Sequence, residues 1–255
     1  AQTTRHRILG MLNGEDFQIV YSDTPGILKP QYALHKSMMQ FVRLSVEDAD
    51  VLLLMVEVGE KIDRELLDPI LRKTEGKILL IINKIDLAKN EQQLKDKISM
   101  WKEYHEFAAI IPISALKGQH INQVFEQILE HLPVHPPYYP KDQFTDKPER
   151  FFASEIIREK IFQTYKQEVP YSTEVVVSEF KEDEKIIHMR AEIYVERNSQ
   201  KGILIGKKGA GLKKIGTEAR KDMEAFFGKQ VFLEQYVKVE KDWRRKKNKL
   251  SQFGY

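Results

Sequence analysis

The chain has 255 residues, enough for one large domain or two of moderate size. It contains no cysteine, which excludes disulfide staples, thiol nucleophiles and cysteine-ligated metals and fits a reducing compartment. A net charge of +3 hides an asymmetry: Arg197–Lys249 holds 16 Lys and Arg against 6 Asp and Glu, so the remainder is acidic and a polyanion partner is expected at one end only.

His6–Leu12 and Phe17–Ser22 are short apolar-rich runs separated by Asn13-Gly14 and two acids. Asn-Gly between such runs predicts a hairpin, because both residues tolerate positive φ. Val51–Val58, Ile78–Ile82 and Ala108–Ile113 are continuous apolar runs of strand length, the pattern of strands covered on both faces in a parallel sheet. Helical patterning covers roughly Leu34–Glu47, Asp63–Lys73, Gln92–Phe107 and Ile121–His131. The alternation predicts right-handed crossovers and a doubly wound α/β domain. Pro133, Pro136, Pro137, Pro140 and Pro148 then fall within sixteen residues, which predicts an extended linker.

Beyond it the texture changes. A helix is predicted over Arg150–Gln167 and an alternating strand over Thr173–Phe180, followed by a charged turn and a second strand, Ile186–Val195. A helix–glycine loop–helix spans Lys201–Phe227, and a third strand covers Gln230–Val239. This α-β-β-α-α-β order describes a smaller α+β domain. The expected segments are an α/β domain over 1–133, a linker over 134–149, the α+β domain over 150–240 and a basic tail over 241–255, helical at its start. No apolar run approaches the length of a membrane span, and Ala1–Ile8 does not read as a signal peptide. The seven histidines show no ligand spacing.

Three short motifs each follow a predicted strand. Asp23-Thr24-Pro25-Gly26 places a carboxylate where it can hold Mg²⁺ through a water, and a glycine whose N–H can approach a terminal phosphate. Asn83-Lys84-Ile85-Asp86 supplies what guanine requires: a carboxylate for the N1–H and 2-amino donors, an amide for the purine edge and a lysine stem across base or loop. Adenine lacks that donor pair and would leave the carboxylate unpaired. Ser114-Ala115 can direct a backbone N–H to the guanine oxygen.

In the second half, Ile205-Gly206-Lys207-Lys208-Gly209 sits between two helices. Two glycines there let a nucleic-acid strand run against backbone while the lysines meet phosphates. Lys213, Lys214 and Arg220 on the next helix are further candidate phosphate contacts, with Arg197 another; Lys221 reads as solvated. Arg244–Lys247 reads equally as a non-specific attractor and as a solvated tail.

The order and spacing of these motifs resemble the translation-factor-related GTPases and, most closely, the Era family. The resemblance also covers Gly216-x-Glu218-Ala219-Arg220-Lys221-Asp222-Met223 and Gly254-Tyr255. It implies a P-loop-type GTPase domain with a mixed, mostly parallel sheet, followed by a type II KH domain. It implies Gln2-Thr3-Thr4-Arg5 as switch I, with Thr4 sensing Mg²⁺ and the γ-phosphate, although Thr3 stands beside it. DTPG becomes switch II, NKID the base-specificity motif and Ser114-Ala115-Leu116 the last loop. The implied partners are GTP or GDP with Mg²⁺, the 3′ end of small-subunit rRNA and the 30S subunit during its maturation. The implied location is the cytoplasm, with peripheral association at the inner face of the cell membrane.

Two departures matter. Ile27 stands where Ras-like enzymes carry a water-orienting glutamine, and an aliphatic side chain cannot orient water; no catalytic base is assigned, and slow unstimulated hydrolysis is expected. The phosphate-gripping motif G-x-x-x-x-G-K-S/T is absent from these residues. Gly202-x-x-x-Gly206-Lys207-Lys208 is one residue short and lacks the hydroxyl. The motif, with its strand and helix, is expected ahead of Ala1 in a longer parent, and these 255 residues alone are expected to bind nucleotide weakly. Two other readings use the same residues. A double-Era GTPase would show a second set of DTPG and NKxD motifs and no intact GxxG. A nucleotide-free RNA-binding adaptor would use its α/β half only as a scaffold.

Overall fold

Four consecutive residues, Leu79–Ile82, have no solvent exposure, and a sheet is built around them. They belong to β4 (Lys77–Asn83), which pairs in parallel with β3 (Val51–Glu57) on one side and β5 (Ala109–Pro112) on the other. A central strand must bury both faces, and the unbroken apolar run of β4 meets that demand. Helices α2 (Arg64–Leu71) and α3 (Glu91–Tyr104) provide the two crossovers, and α4 (Ile121–His131) follows β5. Asp63 and Asn90 cap α2 and α3 by accepting the N–H of Leu66 and Gln93. The expected α/β architecture is present.

The computed structural model describes residues 2–255. Gln40–Pro140 forms one compact unit, and the chain up to Met39 together with Lys141–Tyr255 forms the other. Helix α1 (Ala33–Glu47) carries the chain across Met39–Gln40.

In the second unit, β1 (Ile8–Asn13) and β2 (Gln18–Asp23) form the expected antiparallel hairpin, as a two-stranded sheet of its own. Its glycine serves a different purpose from the one the dipeptide suggested. Gly14 does not adopt positive φ; instead a Cβ there would stand 2.1 Å from the Phe17 ring, so glycine makes room for an aromatic lid. The proline-rich segment also departs from expectation, because its second half is paired. Met11 N–H donates to Phe144 O, Leu9 N–H donates to the Asp146 carboxylate, and Gly10 bridges Thr145 along the free edge of β1. Lys141 donates to the carbonyls of Gly14 and Glu15 at the hairpin tip.

The remainder follows the predicted order. Helix α5 (Glu149–Thr164) and a short α6 (Glu168–Tyr171) precede β6 (Glu174–Glu182) and β7 (Ile186–Val195). Then come α7 (Asn198–Ile205), α8 (Ala210–Phe227) and β8 (Gln230–Val239). The sheet order is β6-β7-β8, with β6 antiparallel and β8 parallel to β7, as the α7–α8 crossover requires. Its inner face packs Val175, Ile187, Met189, Ile193 and Val231 against Ile157 and Ile161 of α5 and Ile215 and Met223 of α8.

The tail is folded rather than solvated. Trp243 is fully buried, with its indole N–H on Ser172 O, and a final helix, α9 (Lys247–Gln252), buries Leu250. Arg244 pairs with Glu196, and Lys246 and Lys249 pair with Glu240. Half of the six cations that suggested a free basic tail are therefore spent internally.

One buried charge fastens both ends of the unit. Arg5 has no solvent exposure and donates to the Glu174 carboxylate at 3.0 Å, to Thr173 O at 2.7 Å and to Tyr171 O at 2.9 Å. The Tyr255 hydroxyl donates to the same carboxylate at 2.6 Å. Burial pushes the Glu174 carboxyl up, and Arg5 and the Tyr255 hydrogen bond pull it back. His6 stacks on Tyr255, and burial holds its pKa down at about 4. Arg158 donates to the carbonyls of Gln2 and Thr3. Glu174→Gln should strand the Arg5 charge and lower the free energy of unfolding by about 3 kcal/mol, measured by urea denaturation at neutral pH.

Candidate functional site

The NKID segment leaves the carboxyl end of the central strand. Asn83 closes β4, Lys84 takes a left-handed conformation (φ 63°), and Ile85–Leu87 forms a single 3₁₀ turn carrying Asp86. A lysine tolerates that strained region only when held there. Asn83 Oδ1 holds it by accepting the Lys84 N–H at 2.7 Å. The same oxygen accepts the Ala115 N–H at 3.1 Å and so ties the loop after β4 to the loop after β5. Ser114 is fully buried, and its hydroxyl donates to Asp86 at 2.6 Å. That bond is the main reason the Asp86 carboxyl is held below its usual range, so it stands ionised and oriented as an acceptor.

Lys84 forms an ion pair with Glu57, the last residue of β3 and the register partner of Asn83. Sequence reasoning passed over Glu57; a charge ending an otherwise apolar strand was the available signal. The Ala115 N–H closes the two loops, and Leu116 is 90% exposed beside it.

The DTPG segment lies in the other compact unit. Asp23 ends β2, and the Thr4 hydroxyl donates to its carboxylate at 3.3 Å. Two hard oxygen groups side by side suit Mg²⁺, which takes one or two protein oxygens and completes its shell with phosphate and water. Ile27 follows Gly26 as a half-buried aliphatic side chain. The structure thus brings together Thr4 with Asp23, and Asn83, Lys84, Asp86 and Ser114 with one another, each group within its own unit.

The glycine loop has the geometry its sequence requires. Gly206 (φ 70°, ψ 178°) and Gly209 (φ 79°, ψ 5°) occupy conformations that side chains rarely enter. A Cβ on Gly206 would stand 2.9 Å from Gly211 N, and one on Gly211 would stand 2.7 Å from Leu204 O, so the end of α7 and the start of α8 meet backbone to backbone. Lys207 and Lys208 at the tip and Lys213 and Lys214 on α8 are exposed and have no carboxylate partner among the described residues. Arg220 is tied to Glu224 at 3.1 Å, and Lys221 to Glu218 at 3.5 Å. Arg197 stands at the opposite end of α7 from the glycines.

Two family models match, one described as a KH domain over residues 168–244 and one described as a 50S ribosome-binding GTPase over residues 1–84. The GTPase Era of Syntrophus aciditrophicus (strain SB) is 47% identical, over the whole of this chain and 84% of that protein. The chain belongs to the Era family of GTPases.

Two solved Era structures agree. Era in complex with MgGDPNP and nucleotides 1506–1542 of 16S ribosomal RNA superposes with a TM-score of 0.95 at 38% identity, covering 99% of this chain and 87% of that one. A single-residue variant of Aquifex aeolicus Era bound to GDP and aluminium fluoride gives 0.94 at 37%, with the same coverage. The Era assignment sharpens the chemistry expected of Asp86. In a chain carrying a phosphate-binding loop ahead of residue 1, Asp86→Asn should shift preference from GDP to XDP. Ser114→Ala should keep guanine selectivity but weaken GDP about tenfold by releasing the carboxylate. Competition between GDP and XDP reads both outcomes, and unchanged selectivity in Asp86→Asn would remove Asp86 from base recognition.

Proposed function

We propose that this chain is the guanine-reading and RNA-binding body of an Era-type switch. It binds the 3′ end of small-subunit rRNA, acts in assembly of the 30S subunit, and works in the cytoplasm with peripheral attachment to the inner face of the membrane. The observation that carries the nucleotide half is Asn83 Oδ1 joining the loops after β4 and β5, with Ser114 steadying Asp86 beside it. In this reading Asp86 accepts the guanine N1–H and 2-amino group, the Asn83 amide meets the purine edge, and the Lys84 stem crosses the base. Ser114, Ala115 and Leu116 frame its far side. Residues 1–133 serve as the GTPase part, 134–149 as a connector, 150–240 as the KH part and 241–255 as its folded tail.

Thr4 and Asp23 are the residues that would hold Mg²⁺, Asp23 through a water, with Thr24, Pro25 and Gly26 facing the terminal phosphate. The ion would neutralise charge on the phosphates. Ile27 offers no hydrogen bond to an attacking water, so this chain supplies no side-chain base at that position. The 255 residues carry no G-x-x-x-x-G-K-S/T sequence, and base reading alone gives weak binding. A protein of these residues alone should bind GTP no more tightly than about 100 μM. Nanomolar affinity by titration calorimetry would overturn that reading.

The RNA half rests on two glycines at positive φ with unpaired lysines between and after them. Ile205, Gly206, Lys207, Lys208 and Gly209 take the strand's backbone. Lys213 and Lys214 meet neighbouring phosphates; Arg220 and Arg197 are outlying contacts. Replacing Lys207 and Lys208 with Asp should abolish binding of single-stranded rRNA at moderate salt without changing stability. Single replacements with Gln should each lower the salt slope of binding by about one. Retained affinity in the double Asp variant, measured by fluorescence anisotropy, would refute the loop's role.

A further inference from the structure

The face of β8 that meets the helices is apolar except at one position. Val231, Leu233 and Val237 belong to the core there, and Gln235 stands on the same alternation. A Cβ on Gly216 would lie 2.0 Å from Gln235 Nε2 and 3.1 Å from its Cδ, so the amide rests directly on the backbone of α8 and any side chain at 216 would evict it. Nε2 donates to Leu212 O at 3.4 Å. Oε1 is shut off from solvent and has no hydrogen-bond partner among the described residues. Exchanging the two amide atoms does not help, since oxygen would then face the Leu212 carbonyl.

An unpaired acceptor of this kind costs stability, and methionine would fill the same space without the cost. The position of the amide suggests what offsets it. Leu212 lies in the first turn of α8, three residues beyond Gly209. Gln235 is therefore held between β8 and the Leu212–Gly216 stretch of α8, just beyond the loop proposed to take the RNA backbone.

We propose that Gln235 is a specificity-determining residue of the RNA site, its Oε1 accepting a hydrogen bond from the exocyclic amine of one unpaired base. The inference rests on the RNA-binding reading of the Gly206–Gly209 loop. The oxygen is closed to solvent where it stands, so a donor must project from the base edge to meet it; an exocyclic amine projects beyond the ring, whereas a ring N–H is set back within it. Adenine, cytosine and guanine carry such a group; uracil does not. The single long hydrogen bond to Leu212 holds the amide loosely enough to turn and meet the base.

The test scans single-stranded RNA of 16S nucleotides 1506–1542, removing one exocyclic amine at a time: adenine to purine, cytosine to uracil, guanine to inosine. The 255-residue chain should show one unpaired position at which removal weakens binding about tenfold. Gln235→Met should bind intact RNA about tenfold more weakly, lose sensitivity at that position alone and keep its salt slope, closing a double-mutant cycle. Its urea midpoint should be equal to or above that of the parent. Gly216→Ala, which expels the amide, should reproduce the loss independently. A Gln235→Met variant with an unchanged position-by-position profile overturns the inference, as does a parent with no amine-sensitive position. A parent that binds no RNA overturns the RNA-binding reading itself, and the inference with it.

Discussion

A guanidinium removed from water has to be matched by charge and by hydrogen bonds, and Arg5 is matched by elements far apart in sequence. Glu174 at the start of β6 supplies the charge, and the carbonyls of Tyr171 and Thr173 supply acceptors. Tyr255 closes over the same carboxylate. The neighbours of Arg5 are fixed as a consequence. Arg158 holds the carbonyls of Gln2 and Thr3, the Gln2 amide reaches Tyr32 and His35, and Arg244 lies 5.0 Å over the Tyr32 ring. Thr4, the residue proposed to hold Mg²⁺, therefore sits in a segment anchored on both sides of it to the part of the molecule that carries the glycine loop. Any displacement of Thr4 has to work against a buried ion pair, and such pairs are costly to break.

The loops proposed to read the base rely on the opposite economy. Apart from the buried Ser114 the groups are at least partly exposed, and precision comes from small polar side chains bonding their neighbours. Asn83 spends its oxygen on two N–H groups, and its amide nitrogen is turned to the Met55 sulfur at 3.8 Å. Ser114 spends its hydroxyl on Asp86, which fixes one carboxylate oxygen and leaves the other for a ligand. The ion pair from Lys84 to Glu57 contributes little stability at its exposure. It does, however, draw the lysine cation back towards β3, where it competes with any pairing to Asp86.

The strands, the helices and the two glycine-dependent features were legible in the sequence because each answers to local rules. The unbroken apolar run of Ile78–Ile82 could only be a strand covered on both faces, and Gly206 and Gly209 mark positions where the backbone needs φ values that other residues avoid. What escaped the sequence was long-range polar pairing. Nothing near Arg5 in the chain announces Glu174, 169 positions away, and nothing in the proline-rich stretch announces that Phe144 and Asp146 would pair with β1. Gly14 shows a subtler failure. The residue was read for its backbone freedom, whereas the structure uses its missing side chain to seat Phe17.

Charge itself shows how such pairing changes a functional reading. The basic surplus of the C-terminal third pointed to a polyanion, yet much of it is neutralised within the fold: Arg244 by Glu196, Lys246 and Lys249 by Glu240, and Arg220 by Glu224. An ion-paired cation brings its partner's negative charge with it, so the pair adds little to the net field that a phosphate meets. Lys207, Lys208, Lys213 and Lys214 have no carboxylate partner among the described residues; the first two stand between Gly206 and Gly209 and the others follow them on α8. The field that attracts RNA is thus narrower than composition suggests. It is focused on the glycine loop and the first turns of α8, the place where an unpaired base would come within reach of Gln235.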